Sequence, residues 1–128
     1  MKNILLSSLF IVAVGFNSFA TKNKINKEVS IVEINVVGLS TLCKLIQLGD
    51  VEGVKNLIEN GTNINQKSKG MTPLMFAARQ NKVEIVKLLL SRSAKLKTKS
   101  DSGMTALDFA ERSKATESYY LIKNALEM

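Results

Sequence analysis

In the middle of the chain, apolar residues fall into short helical blocks separated by polar breaks. Residues 74–78 are apolar and end in small side chains, and further apolar positions recur at helical spacing over 83–90. Thr72 followed by Pro73 marks a helix start, because the hydroxyl caps free amides and proline at the first position has no amide to lose. The pattern predicts a helix, a turn, a second helix and an extended polar loop over residues 70–102.

This pattern occurs three times. Gly-Leu-Ser-Thr-Leu at 38–42 returns as Gly-Met-Thr-Pro-Leu at 70–74 and as Gly-Met-Thr-Ala-Leu at 103–107, at spacings of 32 and 33 residues. Such a period indicates a stack of small units that need their neighbours to bury their apolar faces. Function in such a stack lies on an extended surface. The units are assigned to residues 38–69, 70–102 and 103–128.

Each unit carries its own helix start and stop signals. Ser40 and Thr105 hold the cap position of the first helix, and Asp108 stands three residues after Thr105, close to a capping box. Gly61 follows a second helix as a left-handed C-terminal cap. Ser93 holds the same register one unit later, where a left-handed backbone costs serine about 1 kcal/mol relative to glycine.

The middle unit resembles the ankyrin repeat in two stretches, Gly-Met-Thr-Pro-Leu-Met-Phe-Ala-Ala at 70–78 and Val-Glu-Ile-Val-Lys-Leu-Leu-Leu at 83–90. The first unit does so in Gly-Asp-Val-Glu at 49–52 and Gly-Thr-Asn-Ile-Asn at 61–65. The resemblance covers about residues 38–128. It implies an all-α solenoid of three helix–turn–helix units with hairpin-like finger loops. It also implies a concave face, made by the fingers and the exposed side of each first helix, that binds a protein.

One family feature is missing. The histidine that usually follows Thr-Pro-Leu is replaced by Cys43, Met75 and Asp108, and the chain has no histidine. We therefore expect a weaker polar network between neighbouring repeats.

The first twenty residues have a different character. Lys2 precedes an apolar run of 13 residues at 4–16, and Ser18-Phe19-Ala20 ends the segment. This pattern is typical of a secretory signal peptide cleaved after Ala20. The run is shorter than the roughly 20 residues that cross a bilayer, although an uncleaved membrane anchor is the alternative. We expect an exported protein, periplasmic or secreted.

After such cleavage, 108 residues remain with 17 basic and 11 acidic side chains, a net charge of +6. Residues 21–27 are polar and basic, and residues 29–37 are β-branched and apolar. The latter could form an edge strand or cover the open end of the first repeat. We favour the cap and treat 21–37 as a tail with a capping segment.

Catalytic signals are sparse. Without histidine there is no Ser-His or Cys-His pair, a single cysteine cannot make a zinc cluster, and no glycine-rich phosphate loop occurs. The prediction is a non-enzyme without cofactor or metal. Cys43 could be a reactive thiol or form an intermolecular disulfide. Burial is favoured, because Cys43 lies in register with Met75 on a packed helix.

Two methionines, Met71 and Met104, recur just before the capping threonines. Together with Met75 they could suggest a soft-metal site for copper. We favour the simpler interpretation of an adaptable apolar contact surface, which methionine often supplies.

The charge distribution points to a partner. Residues 67–99 contain nine basic residues and one acid, Glu84. Lys95, Lys97 and Lys99 alternate, so in an extended finger they would project on one side. A basic face of this kind speeds encounter with an acidic partner and sets specificity. The alternative is a solvated surface that keeps the protein soluble.

The ankyrin resemblance places the contact positions by register. In the first repeat these are Leu39, Gln47 and Leu48. The candidate partner-binding residues of the other two repeats are Lys69, Met71, Arg79, Gln80, Lys95, Lys97, Lys99, Ser102, Met104, Arg112 and Ser113.

Together these features predict a monomeric, non-catalytic protein–protein interaction module at the cell envelope that docks one acidic protein. A periplasmic accessory or an immunity factor is the favoured role. The alternatives are a secreted effector that binds a host protein and an envelope component that binds anionic lipid. Nucleic acid is not an expected partner, since export separates the protein from it.

Overall fold

The computed structural model describes residues 38–128, which form six α-helices and, within that range, one isolated β-bridge but no strand. The predicted signal peptide at 1–20 and the segment at 21–37 lie outside the described residues. The helices are α1 (Thr41–Leu48), α2 (Val51–Glu59), α3 (Pro73–Arg79), α4 (Val83–Ser91), α5 (Ala106–Arg112) and α6 (Thr116–Glu127).

The helices pack in two layers. The first helices of the units, α1, α3 and α5, stack on one another, and the second helices, α2, α4 and α6, form the other layer. Within each unit the two helices also pack together. This arrangement confirms the predicted all-α solenoid of three helix–turn–helix units.

Side-chain caps fix where the first helices begin. The hydroxyls of Ser40, Thr72 and Thr105 each accept a hydrogen bond from the backbone N–H three residues later, at 3.2 to 3.3 Å. Pro73 opens α3 directly after its cap. The helix starts predicted from the sequence are confirmed.

Two of these caps are reciprocal. The N–H of Thr105 donates to Asp108 Oδ2 at 2.8 Å, which completes the predicted capping box. In the middle unit the N–H of Thr72 donates to Met75 Sδ at 3.3 Å. A thioether thus takes the place that the family resemblance assigns to histidine.

Left-handed residues end the helices. Gly61 and Ser93 follow α2 and α4 with φ of 90° and 60°, as their shared register predicts. The turn inside each unit also holds one left-handed residue: Gly49 at 74°, Asn81 at 52° and Lys114 at 56°. Three different residue types therefore fill one structural position.

The core lies between the two layers and is densest in the middle unit. Every residue of α3 from Pro73 to Ala78 is buried. The alanines at 77 and 78 let neighbouring first helices approach closely. Around α3 lie the buried side chains of Leu42, Ile46, Val54, Ile85, Val86, Leu89, Ala106, Ala110 and Ile122.

No helix among residues 38–128 has both the length and the apolar character needed to cross a membrane.

Candidate partner-binding face

The second finger is a two-residue hairpin. Ser68 and Met71 exchange backbone hydrogen bonds of 2.8 and 3.1 Å across the turn. The two residues at its tip, Lys69 and Gly70, both have positive φ, 50° and 75°. This combination matches the right-handed twist of a hairpin, so the backbone fixes Lys69 at the exposed tip.

The third finger is wider and is held by side chains. Ser100 N–H donates to the Met104 carbonyl at 2.8 Å, and Ser100 Oγ accepts from Met104 N–H at 3.2 Å. Ser102 lies at the exposed turn, with its hydroxyl 2.8 Å from Ser100 Oγ. The predicted hairpin-like fingers are therefore present, but they differ in detail.

Neighbouring fingers are bonded to one another. Ser68 Oγ accepts from Ser40 N–H at 2.8 Å, joining the second finger to the start of α1. Asp101 N–H donates to the Gly70 carbonyl at 3.0 Å, and its carboxylate lies 3.4 Å from Lys67 Nζ. The contact positions on successive fingers thus form one continuous row.

Two methionine–arginine pairs occupy the same place on adjacent repeats. Arg79 Nη1 lies 4.0 Å from Met71 Sδ, and Arg112 Nη1 lies 3.4 Å from Met104 Sδ. Each methionine precedes a capping threonine, and each arginine ends a first helix. Met71 and Met104 are half-buried residues, while Arg79 and Arg112 are exposed. The fold therefore holds each guanidinium beside its finger without burying the charge.

Gln80 and Ser113 complete this surface. They are the C-cap residues of α3 and α5 and directly follow the two arginines. We define the finger face as the contact positions that these elements bring together: Lys69, Met71, Arg79, Gln80, Ser102, Met104, Arg112 and Ser113.

Lys99 directly precedes Ser100, where the third finger begins, and its charge reaches the capping box of α5. The pKa of Asp108 is below its ordinary value because the backbone N–H and the hydroxyl of Thr105 donate to its carboxylate, and the charge of Lys99 adds to this effect. Lys99 is thus the one alternating lysine that the structure associates with a first helix.

The other two alternating lysines lie elsewhere. Lys95 and Lys97 line a groove of about 570 Å³ together with Ala125 and Leu126 of α6. They come after α4 and the turn at 92–94, before the chain reaches the third finger, and they lie beside α6, which belongs to the layer of second helices. The structure does not bring them to the methionine–arginine pairs.

The first repeat contributes less than its register suggests. Leu39, expected to contact a partner, is only 7% exposed and belongs to the core. Its equivalents Met71 and Met104 are half-buried, so the position is less accessible in the first repeat. Leu48 remains exposed, at 65%.

Cys43 is buried, as predicted. Its side chain has no exposed surface, and burial raises the pKa of the thiol. A raised pKa lowers the thiolate fraction, so the cysteine belongs to the core rather than to a reactive site.

The three methionine sulfurs are spread over different environments. Met75 is buried and accepts an amide hydrogen bond, whereas Met71 and Met104 each face a guanidinium. A positively charged neighbour opposes the binding of a metal cation. The geometry therefore favours the apolar-contact interpretation of these side chains.

Sequence reasoning missed two polar residues. Asp101 lies just beyond the basic stretch 67–99 and pairs with Lys67, which reduces the free positive charge. Asn81 accepts from the N–H and hydroxyl of Ser118 at 3.2 and 2.8 Å and donates to Glu117 at 2.8 Å. The sequence did contain a signal for Asn81, because it stands at the turn position that Gly49 occupies in the first repeat.

A family profile described as ankyrin repeats, three copies, matches residues 40–126. The chain belongs to the ankyrin-repeat family. Ankyrin repeats mediate protein–protein interaction, and a member of this family is typically a non-catalytic binding module. The family resemblance stated from the sequence is confirmed.

Similar curated proteins are larger. Human ankyrin repeat and SOCS box protein 11 is 37% identical over 73 residues, which cover 57% of this chain and 23% of that protein. Mouse 2-5A-dependent ribonuclease is 40% identical over 68 residues, covering 52% of this chain and 9% of that protein. The chain thus spans a quarter or less of these relatives.

A solved structure is also similar. It is a complex of a predatory endopeptidase from Bdellovibrio bacteriovorus with an immunity protein, and the matching chain is 38% identical with a TM-score of 0.63. The match covers 68% of this ankyrin-repeat chain and 47% of that chain.

Proposed function

We propose that this ankyrin-repeat protein is an exported, non-catalytic module that docks one acidic protein on its finger face. The supporting observation is the pair of exposed guanidinium groups, Arg79 and Arg112, which lie beside methionine sulfurs at the same place on adjacent repeats. Identical chemistry repeated in register suits a partner that lies along the stack.

The spacing of the repeats limits what the partner presents. Packed helices lie about 8–10 Å apart, so Arg79 and Arg112 can meet two carboxylates separated by roughly 10 Å. On a partner helix rising 1.5 Å per residue, that separation corresponds to acidic residues about seven positions apart. Met71 and Met104 would supply adaptable apolar contact between these charges.

The favoured role is a periplasmic accessory or an immunity factor. The similar solved chain belongs to a complex of an endopeptidase with an immunity protein, so this fold occurs in a setting of that kind. By this proposal the partner is an enzyme of the envelope, which the bound module protects or restrains.

Export is part of the proposal and has its own test. The pattern over residues 1–20 predicts a mature protein that begins at Thr21. N-terminal sequencing of the protein from fractionated cells would show Thr21 in the periplasm or the medium. An intact N-terminus in the cytoplasm would reject export while leaving the binding module in place.

The deciding experiment compares two charge-matched double variants. Tagged wild type, Arg79→Glu with Arg112→Glu, and Lys95→Glu with Lys97→Glu are used to capture partners from fractionated native cells at low and high salt. Both variants change the net charge equally, and circular dichroism checks that each is folded.

If the finger face binds the partner, we expect one stoichiometric protein to be captured by the variant with Lys95→Glu and Lys97→Glu. The variant with Arg79→Glu and Arg112→Glu should lose it. Loss from the lysine variant alone would move the site to the groove beside α6. Equal loss from both would mean that total charge, rather than a defined face, holds the partner.

An anionic membrane surface is the second candidate. It is supported by the groove in which Lys95 and Lys97 flank the apolar Leu126. Flotation with anionic vesicles at low salt, abolished at high salt and in the lysine variant, would favour this function. A secreted effector would instead be recovered from the medium or a host, bound to a host protein.

A further inference from the structure

The methionine–arginine pairs have chemistry beyond docking. A thioether is a weak hydrogen-bond acceptor, so each Arg–Met contact leaves its guanidinium available to a partner. Oxidation converts methionine to a sulfoxide, which is polar. Met71 and Met104 are half-buried and therefore reachable from solvent, and both sulfurs already lie beside a cation.

We propose that Met71 and Met104 are reversible oxidation sites whose sulfoxides accept hydrogen bonds from Arg79 and Arg112 and so make these arginines less available to a partner on the finger face. The modifying agent is a hydroperoxide. The thioether sulfur attacks one peroxide oxygen, a sulfur–oxygen bond forms and the oxygen–oxygen bond breaks. The sulfur loses two electrons, and the other oxygen leaves as water or an alcohol after taking up a proton.

The position of each sulfur places the new sulfoxide oxygen next to an arginine. It is added to a sulfur that the guanidinium already contacts, at 3.4 Å for Met104 and 4.0 Å for Met71. A sulfoxide oxygen accepts an Arg N–H far better than the thioether does, and the charge of the donor strengthens that bond. The shorter contact predicts that oxidation of Met104 restrains its arginine more than oxidation of Met71.

Two changes then coincide on the finger face. Each methionine side chain becomes polar and no longer offers apolar contact. Each guanidinium donates a hydrogen bond to the sulfoxide within the chain, so that N–H is no longer available to a partner. Weakened partner binding rests on the proposed function. The oxidation and its effect on the arginines do not, so they can be tested without any partner.

The chain contains its own references for such a test. Met75 is 1% exposed and accepts the Thr72 amide, so it should resist oxidation, while Met128 is fully exposed and should react readily. The chain has three arginines, and the third, Arg92, pairs with Glu59 at 3.7 Å and has no methionine contact among residues 38–128.

The experiment treats the purified full-length protein with hydrogen peroxide and follows each methionine by peptide mass spectrometry. Because oxidation follows exposure, we expect Met75 to react about tenfold more slowly than Met71 and Met104. The Nε–Hε resonances of the arginines are recorded by NMR in parallel. Those of Arg79 and Arg112 should shift as the sulfoxides form, and that of Arg92 should stay.

Reversal and a matched variant complete the test. Methionine sulfoxide reductases should return the shifted resonances to their starting positions. In Met71→Leu with Met104→Leu, peroxide should leave both arginines unchanged while Met128 still oxidises. Oxidation of Met71 and Met104 at the rate of Met75, or full oxidation without a shift of either arginine, would overturn the proposal.

Discussion

The two junctions between repeats differ most at the turn inside each unit. At the second junction Asn81 reaches the next repeat and makes three hydrogen bonds to Glu117 and Ser118. At the first junction the same left-handed position is Gly49, which has no side chain to offer. The same left-handed position therefore connects two repeats where it is Asn81, and only reverses the chain direction where it is Gly49.

The fingers differ from the turns, because finger residues make hydrogen bonds between repeats at both junctions. Ser68 joins the second finger to Gly38 and Ser40, and Asp101 joins the third finger to Gly70. The bonded fingers therefore run along all three described repeats, whereas hydrogen bonds from the turn inside a unit connect only the last two repeats. The third repeat is therefore bonded to the middle repeat at its finger and at the first turn of α6.

Leu74→Ala should have the largest effect, because Leu74 lies in the core of α3, the helix that packs against both α1 and α5. Its side chain is 1% exposed, so truncation leaves a cavity and should cost about 2–5 kcal/mol of unfolding free energy. Urea denaturation measures the loss. Leu48→Ala, at an exposed position, should change stability little, and equal costs for the two would contradict the assigned core.

Asn81→Gly makes the second junction resemble the first. The variant keeps the left-handed turn but removes three hydrogen bonds and leaves the hydroxyl of Ser118, which is fully buried, without its acceptor. We expect a loss of about 1–3 kcal/mol in unfolding free energy.

The matched control for Asn81→Gly is Lys114→Gly. It changes the equivalent exposed position of the third repeat, where φ is 56°, and should stabilise slightly by relieving the left-handed backbone. If Asn81→Gly also stabilises, the Asn81 contacts add nothing to the second junction.

Ser93→Gly removes a strained residue between α4 and the loop that leads to the third finger. Ser93 has φ of 60°, the position Gly61 fills at 90° one repeat earlier. The substitution should stabilise the protein by about 1 kcal/mol, since glycine adopts this conformation freely. A denaturant midpoint that stays or falls would reject strain at this residue.

The smallest effect concerns the capping box of the third repeat. Thr105 lowers the pKa of Asp108 in the folded protein, so the carboxylate stabilises the fold above the ordinary carboxyl range, about pH 4. That contribution is lost as pH falls through the lowered pKa. Asp108→Asn should therefore flatten the acid side of the stability profile, measured by urea midpoints over that range. The equivalent cap of the middle repeat uses the thioether of Met75, which does not titrate, so it adds nothing to this pH dependence.

The sequence was sufficient to predict features that need a particular residue type at a fixed position of the repeat. The caps at Ser40, Thr72 and Thr105 and the left-handed backbone of Ser93 follow from local chemistry, so a single pattern was enough to predict each. The same holds for the burial of Cys43, which shares its position with a packed methionine.

Contacts between distant residues could not be predicted in this way. The sequence placed Arg79 and Arg112 on one face, but the approach of each guanidinium to a sulfur depends on how the finger folds back on the helix. The alternation of Lys95 and Lys97 predicts an extended finger, whereas the chain bends at residues 96–97 and both lysines line the groove beside α6.

The tip of the second finger limits how this surface can change in evolution. A side chain at Gly70 would place its Cβ 2.6 Å from Asp101 Oδ2, and its φ of 75° already excludes most residues. Lys69, at 50°, can be exchanged without strain only for residues such as glycine or asparagine. Met71 and Arg79 have no such backbone restriction, so substitutions at these two positions can alter the contact surface while the tip of the second finger keeps its conformation.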